Sequence, residues 1–402
     1  MSQKELQETQ TLTHVSGWLI VFLGALTALT PLSTDMYLPA LPLMPDVFHT
    51  SASNIQLTLS MVIIGVAIGQ LFGGPISDVL GRKKPLLIGN IFCVIATFAC
   101  AWSPNIEFLL VARFLAGFTG SIGVVIAKAV ARDLATGQEL VKLLTLLMAV
   151  NGLAPVIAPL IGGQIVAHAT WPYVFIVLGI FSVLTFLATF LYKETLPPER
   201  RNQHGIAAAF GKYRHLLADR PFMGQCLIQG FGFGAFFSYI AGSSFVYQNI
   251  FHLNAQQFSY IFGINSVGII IASFIGSYAS NVISPQNLLQ FALWELGLGS
   301  LAFLLTMYYQ APFLAVTIIL FITAASISNL GAASFSIALK KHGKDAGAAS
   351  ALLGFFSMIF AAVAAPLVGI HGSDTAIAMG IVMVICSIIA LIAFYTMSYN
   401  KE

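Results

Sequence analysis

Two charges stand where an aqueous surface is least expected. Asp35 ends a long apolar run with no basic residue near it in sequence, and Arg113 lies about four residues inside another run. A carboxylate taken out of water resists ionisation, and a neighbouring guanidinium restores it. An acid and a base at comparable depth in a nonpolar medium therefore form a pair that can load and release a proton. A buried guanidinium costs at least a few kcal/mol in lipid unless it meets an acceptor or an aqueous cavity. Asp35 and Arg113 are expected to share one water-accessible chamber, with Asp35 carrying the proton. The plainer readings are an Arg113 that snorkels to the nearer surface and an Asp35 hydrated at a helix end. Glu295, about two turns inside a later run, is a candidate secondary acid, with a packed structural pair as the other reading.

Other residues bear on motion rather than on protons. The stretch Gly73-Gly74-Pro75-Ile76-Ser77-Asp78-Val79-Leu80-Gly81-Arg82-Lys83-Lys84 sets small residues, an acid and a basic cluster in one tight turn. Gly74 and Gly81 permit close approach and reversal, Asp78 sits near the end of one helix, and Arg82 opens the next. A charge latch between two halves of the chain is expected here, against the plainer reading of a basic loop. Pro155, Pro159, Gly162 and Gly163 fall within one apolar run. Proline removes a backbone bond and bends a helix, and small residues allow tight crossing. Gln225, Gln229, Phe233, Phe236, Phe237 and Tyr239 put amide and aromatic groups without charge on another run, which suits a largely apolar, neutral ligand.

Enzyme chemistry finds no support. No zinc-ligand spacing, nucleophile–base pair or phosphate loop is present, and the eight histidines sit at or near the joints between apolar runs. Cys93, Cys100, Cys226 and Cys386 read as small buried hydrophobes. No metal and no cofactor is expected, apart from a proton as coupling ion.

The elements that hold these residues are membrane helices. Hydrophobic residues make up 58% of the 402 positions and charged ones 8%, with a mean hydropathy of +0.88, against roughly 25% charged in a soluble domain. Apolar runs cover about 15–38, 55–74, 85–102, 108–128, 141–161, 173–192, 221–243, 257–282, 288–309, 312–339, 347–370 and 375–397. Each approaches the roughly 20 residues that span a bilayer. The chain divides into 1–192, a polar bridge 193–220, and 221–402. If the runs alternate in direction, every Lys and Arg except Arg113 falls on one face. By the inside-positive bias, that face and both termini are cytoplasmic. This bias accounts for the net charge of +3 without a nucleic-acid partner. A cleavable leader is not expected, since the first fourteen residues are polar and mixed in charge. The halves echo one another: Ala158-Pro159-Leu160-Ile161-Gly162 returns as Ala365-Pro366-Leu367-Val368-Gly369, and Ser77-Asp78-Val79 more weakly as Ser280-Asn281-Val282. Duplicated six-helix units give such offsets.

The turn containing Asp78 and Arg82 resembles the loop signature of the major facilitator superfamily. Three further stretches resemble its Bcr/CflA-type drug-resistance branch: Asp35-Met36-Tyr37-Leu38-Pro39-Ala40-Leu41-Pro42, Gln56-Leu57-Thr58-Leu59-Ser60 with Gly69-Gln70-Leu71-Phe72, and Ser238-Tyr239-Ile240-Ala241-Gly242-Ser243-Ser244-Phe245-Val246-Tyr247. Arg113-Phe114-Leu115-Ala116-Gly117 is similar to the family's helix-four motif, whose arginine takes part in proton coupling in drug/proton antiporters. The proline–glycine run of the fifth helix resembles the antiporter motif that seals the outer side, with Ala154 and Ala158 where glycines are usual. Relatives of this type can carry a second acid deeper in helix one, where this chain has Thr27. The resemblance implies an all-α membrane protein of the major facilitator fold, with twelve transmembrane helices in two pseudo-symmetric six-helix bundles, and adds Tyr37 to the substrate cavity. It implies a monomeric, proton-coupled multidrug or antibiotic efflux transporter of the cell membrane. Small drug-like molecules, protons and membrane lipid are its partners. An exporter of a native metabolite, such as an amino acid or sugar, is the alternative. That alternative calls for polar cavity helices, which here are mostly apolar.

Overall fold

The computed structural model describes residues 16–201, 207–342 and 346–398. Among the described residues the regular structure is entirely helical, and twelve helices are long and apolar enough to cross a membrane. They are α1 (Gly17–Asp35), α2 (Ala52–Leu80), α3 (Lys83–Ala101), α4 (Ile106–Leu134), α5 (Gly137–His168), α6 (Pro172–Leu191), α7 (Arg220–Phe245), α8 (Ala255–Ala279), α9 (Pro285–Tyr308), α10 (Phe313–Lys341), α11 (Ala346–Val368) and α12 (Ile377–Ala393). Several starts are fixed by side-chain caps. Ser16, Ser51, Asn105 and Ser284 accept from the backbone N–H three residues on, and Asn254 with Gln257 closes a reciprocal capping box.

Two features were not expected. After α1 the chain continues as a 3-10 turn, Leu38–Leu43, and a short helix, Met44–Phe48. Pro39, Pro42 and Pro45 lack the N–H groups that a regular helix would need there. Within the polar bridge, Ala207–Ala218 forms a further helix.

α1–α6 pack on one another and α7–α12 on one another, giving two six-helix bundles. Glycines allow the tightest crossings. An added Cβ at Gly117 would overlap the Val62 carbonyl, and one at Gly65 the Phe114 carbonyl, so α2 and α4 meet backbone to backbone. The bundles join along α2 against α11 and α5 against α8, and the 3-10 turn after α1 touches α7 and α8. Outer faces are apolar. A groove of about 430 Å³ between α1, α5 and α6, and one of about 360 Å³ between α3 and α4, are lined by nonpolar side chains apart from Thr119. Every described Lys and Arg other than Arg113 lies at or toward one end of the bundles, called here the basic face.

Candidate functional site

Arg113 is fully buried, 0% exposed, in the interior of the first bundle. Its Nη1 donates to the Ser33 carbonyl at 2.9 Å and to the Ser33 hydroxyl at 3.0 Å. The guanidinium lies over two rings, 5.0 Å from the Tyr37 centroid and 5.4 Å from that of Phe175, each a favourable cation–π contact. Nε and Nη2 have no hydrogen-bond partner among the described residues.

Asp35 does not join this arrangement. It is 6% exposed, and no ion pair or hydrogen bond to its carboxylate is found among the described residues. Ser33 and Tyr37, four residues apart, share the face of the chain turned to Arg113. Asp35, two residues from each, is rotated by roughly 200°. It therefore faces out of the first bundle, within electrostatic reach of the Tyr239 phenol on α7. The shared Asp35–Arg113 chamber expected from depth alone is thus corrected: equal depth does not bring together groups on opposite sides of a helix. Tyr37 is corrected for the same reason. It is fully buried against Phe175, at 5.2 Å between ring centroids, inside the first bundle rather than in a substrate cavity between bundles.

Opposite Asp35 the second bundle presents a polar and aromatic cluster. Asn265 on α8 donates through Nδ2 to the Tyr239 hydroxyl at 2.8 Å, while its own Oδ1 is buried without a partner among the described residues. The Tyr239 ring stacks on Phe262, with centroids 5.8 Å apart. Phe236 and Phe233 continue the series along α7. Gln229, Phe233 and Phe236 are half-buried on one stripe of α7, and Gln229 Oε1 lacks a partner among the described residues. Glu295 sits half-buried in α9, with no described hydrogen-bond or charged partner. Thr27 is buried and donates to the Gly24 carbonyl of its own helix.

The glycine–aspartate–arginine turn folds into a dense network at the basic face. Gly81 takes a left-handed φ of 88°, which favours glycine, and a Cβ there would stand 2.6 Å from Glu194 Oε2. Arg82 donates through Nη1 to Ser77 and Asp78 and through Nε to Asp133 Oδ2 at 2.9 Å. The backbone N–H groups of Arg82 and Lys83 donate to the two carboxylate oxygens of Glu194, at 2.9 and 3.0 Å. Burial disfavours the Glu194 carboxylate, but N–H donors from Leu196, Arg82, Lys83 and Thr195 outweigh it and hold its pKa below the usual value. Burial likewise opposes the Arg82 cation, and its bonds to Asp133 and Asp78 more than offset this. A latch between halves, expected to form and to break as this side opens, is not engaged among the described residues: the hydrogen-bond and ion-pair partners of the Asp78 and Arg82 side chains lie in α2 and α4. Gly74 packs on Val125 of α4, again within the first bundle. Asp133 and Glu194 were missed in the sequence. The available signal was two acids lying on the basic face beside Arg132 and Lys193.

The proline–glycine run lies where the bundles meet. A Cβ at Gly162 would overlap the Met36 carbonyl, and one at Gly163 the Ser259 hydroxyl of α8. Pro155 and Pro159 both sit inside the continuous α5.

Residues 23–366 match the family described as Major Facilitator Superfamily. The chain is 40% identical over 386 residues, 95% of its length and 96% of the other, to YdgK, an uncharacterised MFS-type transporter of Bacillus subtilis strain 168. It is 30% identical, over 94% of its length and 95% of the other, to a bicyclomycin resistance protein homologue of Haemophilus influenzae. Among solved structures, a bacterial homologue of the human lysosomal transporter Spinster superposes with a TM-score of 0.74 at 14% identity, covering 94% of this chain and 95% of that one.

Proposed function

Because this chain belongs to the major facilitator superfamily, we propose that it exports small, largely apolar drug-like molecules in exchange for protons. Family and fold are those of multi-pass membrane transporters rather than enzymes. The bicyclomycin resistance homologue supports a drug substrate, and the uncharged aromatic stripe of Phe233, Phe236 and Tyr239 suits an apolar one. The inner membrane is the site of action, with the basic face and both termini in the cytoplasm, and one chain forms the working unit.

The observation that carries the proton assignment is the position of Asp35. A carboxylate with no counter-cation among the described residues is held at 6% exposure, on the side of α1 turned toward Tyr239 of the second bundle. Enclosing it ionised is costly, whereas a neutral acid is tolerated. A proton from outside therefore lets the outer contact close over Asp35 without cargo. Release of that proton to the cytoplasm restores the charge, and the cavity accepts drug before opening outward. Arg113 acts through α1: by holding Ser33 and Tyr37 it directs Asp35 to the opposite side, toward Tyr239. One proton falling through 100 mV supplies about 2.3 kcal/mol, which sustains a gradient of roughly one to two decades for a neutral drug.

The test is drug uptake into inverted membrane vesicles under an imposed pH gradient, acid inside. Uptake that follows the gradient and vanishes with an uncoupler supports antiport. Uptake indifferent to the gradient excludes it.

A further inference from the structure

Among the described residues, four hydrogen bonds cross between the bundles, and each runs from a side chain to a backbone carbonyl. Ser53 Oγ donates to the Pro366 carbonyl at 2.6 Å, Gln56 Nε2 to Ala241 at 3.2 Å, Gln248 Nε2 to Pro39 at 3.2 Å, and Ser266 Oγ to Pro155 at 3.2 Å. Three of these acceptors are carbonyls that their own helix leaves open. In α5 the Pro155 carbonyl would take the N–H of residue 159, and residue 159 is proline. In the 3-10 turn the Pro39 carbonyl would take the N–H of residue 42, also proline. Pro366 lies in the last turn of α11, whose carbonyls have no donor within the helix.

We propose that Ser266, Ser53 and Gln248 are positioning residues of the transport cycle, holding the end opposite the basic face closed by filling carbonyls that proline and a helix end have vacated in the other bundle. The prolines then do more than bend helices. They expose acceptors at the bundle interface, where an ordinary helix would present a satisfied backbone. The bond is also reversible at low cost. Ser266 shares its proton with the Phe262 carbonyl of its own helix at 2.9 Å. When the bundles part, the hydroxyl keeps that acceptor, and water entering the opened cleft takes the Pro155 carbonyl. The two echoed helices are thus both used, though not at the same turn: α11 offers the Pro366 carbonyl to α2, and α5 offers the carbonyl one turn before Pro159 to α8. This assignment rests on neither the drug nor the proton.

The experiment reads conformation directly. Ser259→Cys replaces a buried hydroxyl beside Gly163 with a thiol, while the native cysteines are buried. A membrane-impermeant maleimide is applied to full-length protein in vesicles from the side opposite the basic face, without substrate or pH gradient. Ser266→Ala, Ser53→Ala and Gln248→Leu should each raise the labelling rate roughly two- to ten-fold, the weight of one hydrogen bond. Ser266→Thr should restore the parent rate. Ser238→Ala removes a buried hydroxyl bonded only within α7 and should change nothing. Unchanged labelling in the three variants, or an equal rise with Ser238→Ala, overturns the assignment. If a serine variant does not accumulate in the membrane, Gln248→Leu carries the same test alone. Because no transport is measured, failure here is distinct from failure of the drug/proton reading.

Discussion

Arg113 holds α1 at Ser33, and Asp35, two residues further on, faces the other way, toward Tyr239 of the second bundle. The acid and the base therefore work on opposite sides of one helix. The first bundle anchors the helix through the base, and the interface between bundles is governed by the acid.

This division predicts an uncommon response to Arg113→Met. The guanidinium is fully buried, with two nitrogens that find no partner among the described residues, and a half-satisfied buried charge is worse for stability than an apolar group of similar shape. Arg113→Met should leave the thermal midpoint in detergent unchanged or raise it by a few degrees. Transport should fall by at least about ten-fold, because loss of the anchor lets α1 turn. Thermal unfolding and vesicle uptake on one preparation check both halves.

Gly162 and Gly152 lie on the same helix and should respond oppositely. A methyl at Gly162 overlaps the Met36 carbonyl, while at Gly152 nothing stands within 4 Å. Gly152→Ala should be neutral or stabilising by up to about 1 kcal/mol with transport retained. Gly162→Ala should hold α1 and α5 apart and reduce transport about ten-fold or more at equal expression. Uptake assays normalised to protein level decide this.

Arg82 binds three acceptors from one planar fork, which an ammonium cannot reproduce. Arg82→Lys should lower unfolding stability by on the order of 3 kcal/mol. Asp133→Asn should weaken the same network less, keeping the shape while losing the charge. Combined variants should be less than additive, since both act on one bond set. Denaturant or thermal titration of the three proteins checks the pattern.

The Glu194 carboxylate has a folded pKa held below its ordinary 4.5. Its contribution is therefore fully present above pH 4.5 and is lost as pH falls below 4.5 through the depressed value. Between wild type and Glu194→Gln, the stability gap should be constant at neutral pH and narrow below about pH 4.5. Thermal midpoints measured across that range supply the check.

Much of this was legible in the sequence. Twelve spans follow from apolar runs of bilayer length, and the one-sided charges set their alternation. The polar ends of α5 and α10 extend past the apolar runs, because a helix continues beyond the hydrocarbon while hydropathy does not. Partners were less legible. Helical periodicity places Asp35 and Ser33 on different faces but does not say which neighbour each face meets. The family resemblance that puts Tyr37 in the cavity likewise says nothing of Phe175 and Arg113, the neighbours that bury it in the first bundle. Asn265 is a polar residue in an apolar run, and its spacing carries no pattern. Only packing against Tyr239 gives it a role.

The role of Asp35 as proton carrier is decided by drug-dependent proton movement in inverted vesicles, comparing Asp35→Asn with wild type. Wild type should move protons when drug is added, whereas Asp35→Asn should accumulate normally, still bind drug and move none at any pH. Proton movement by Asp35→Asn at the wild-type rate would contradict that role.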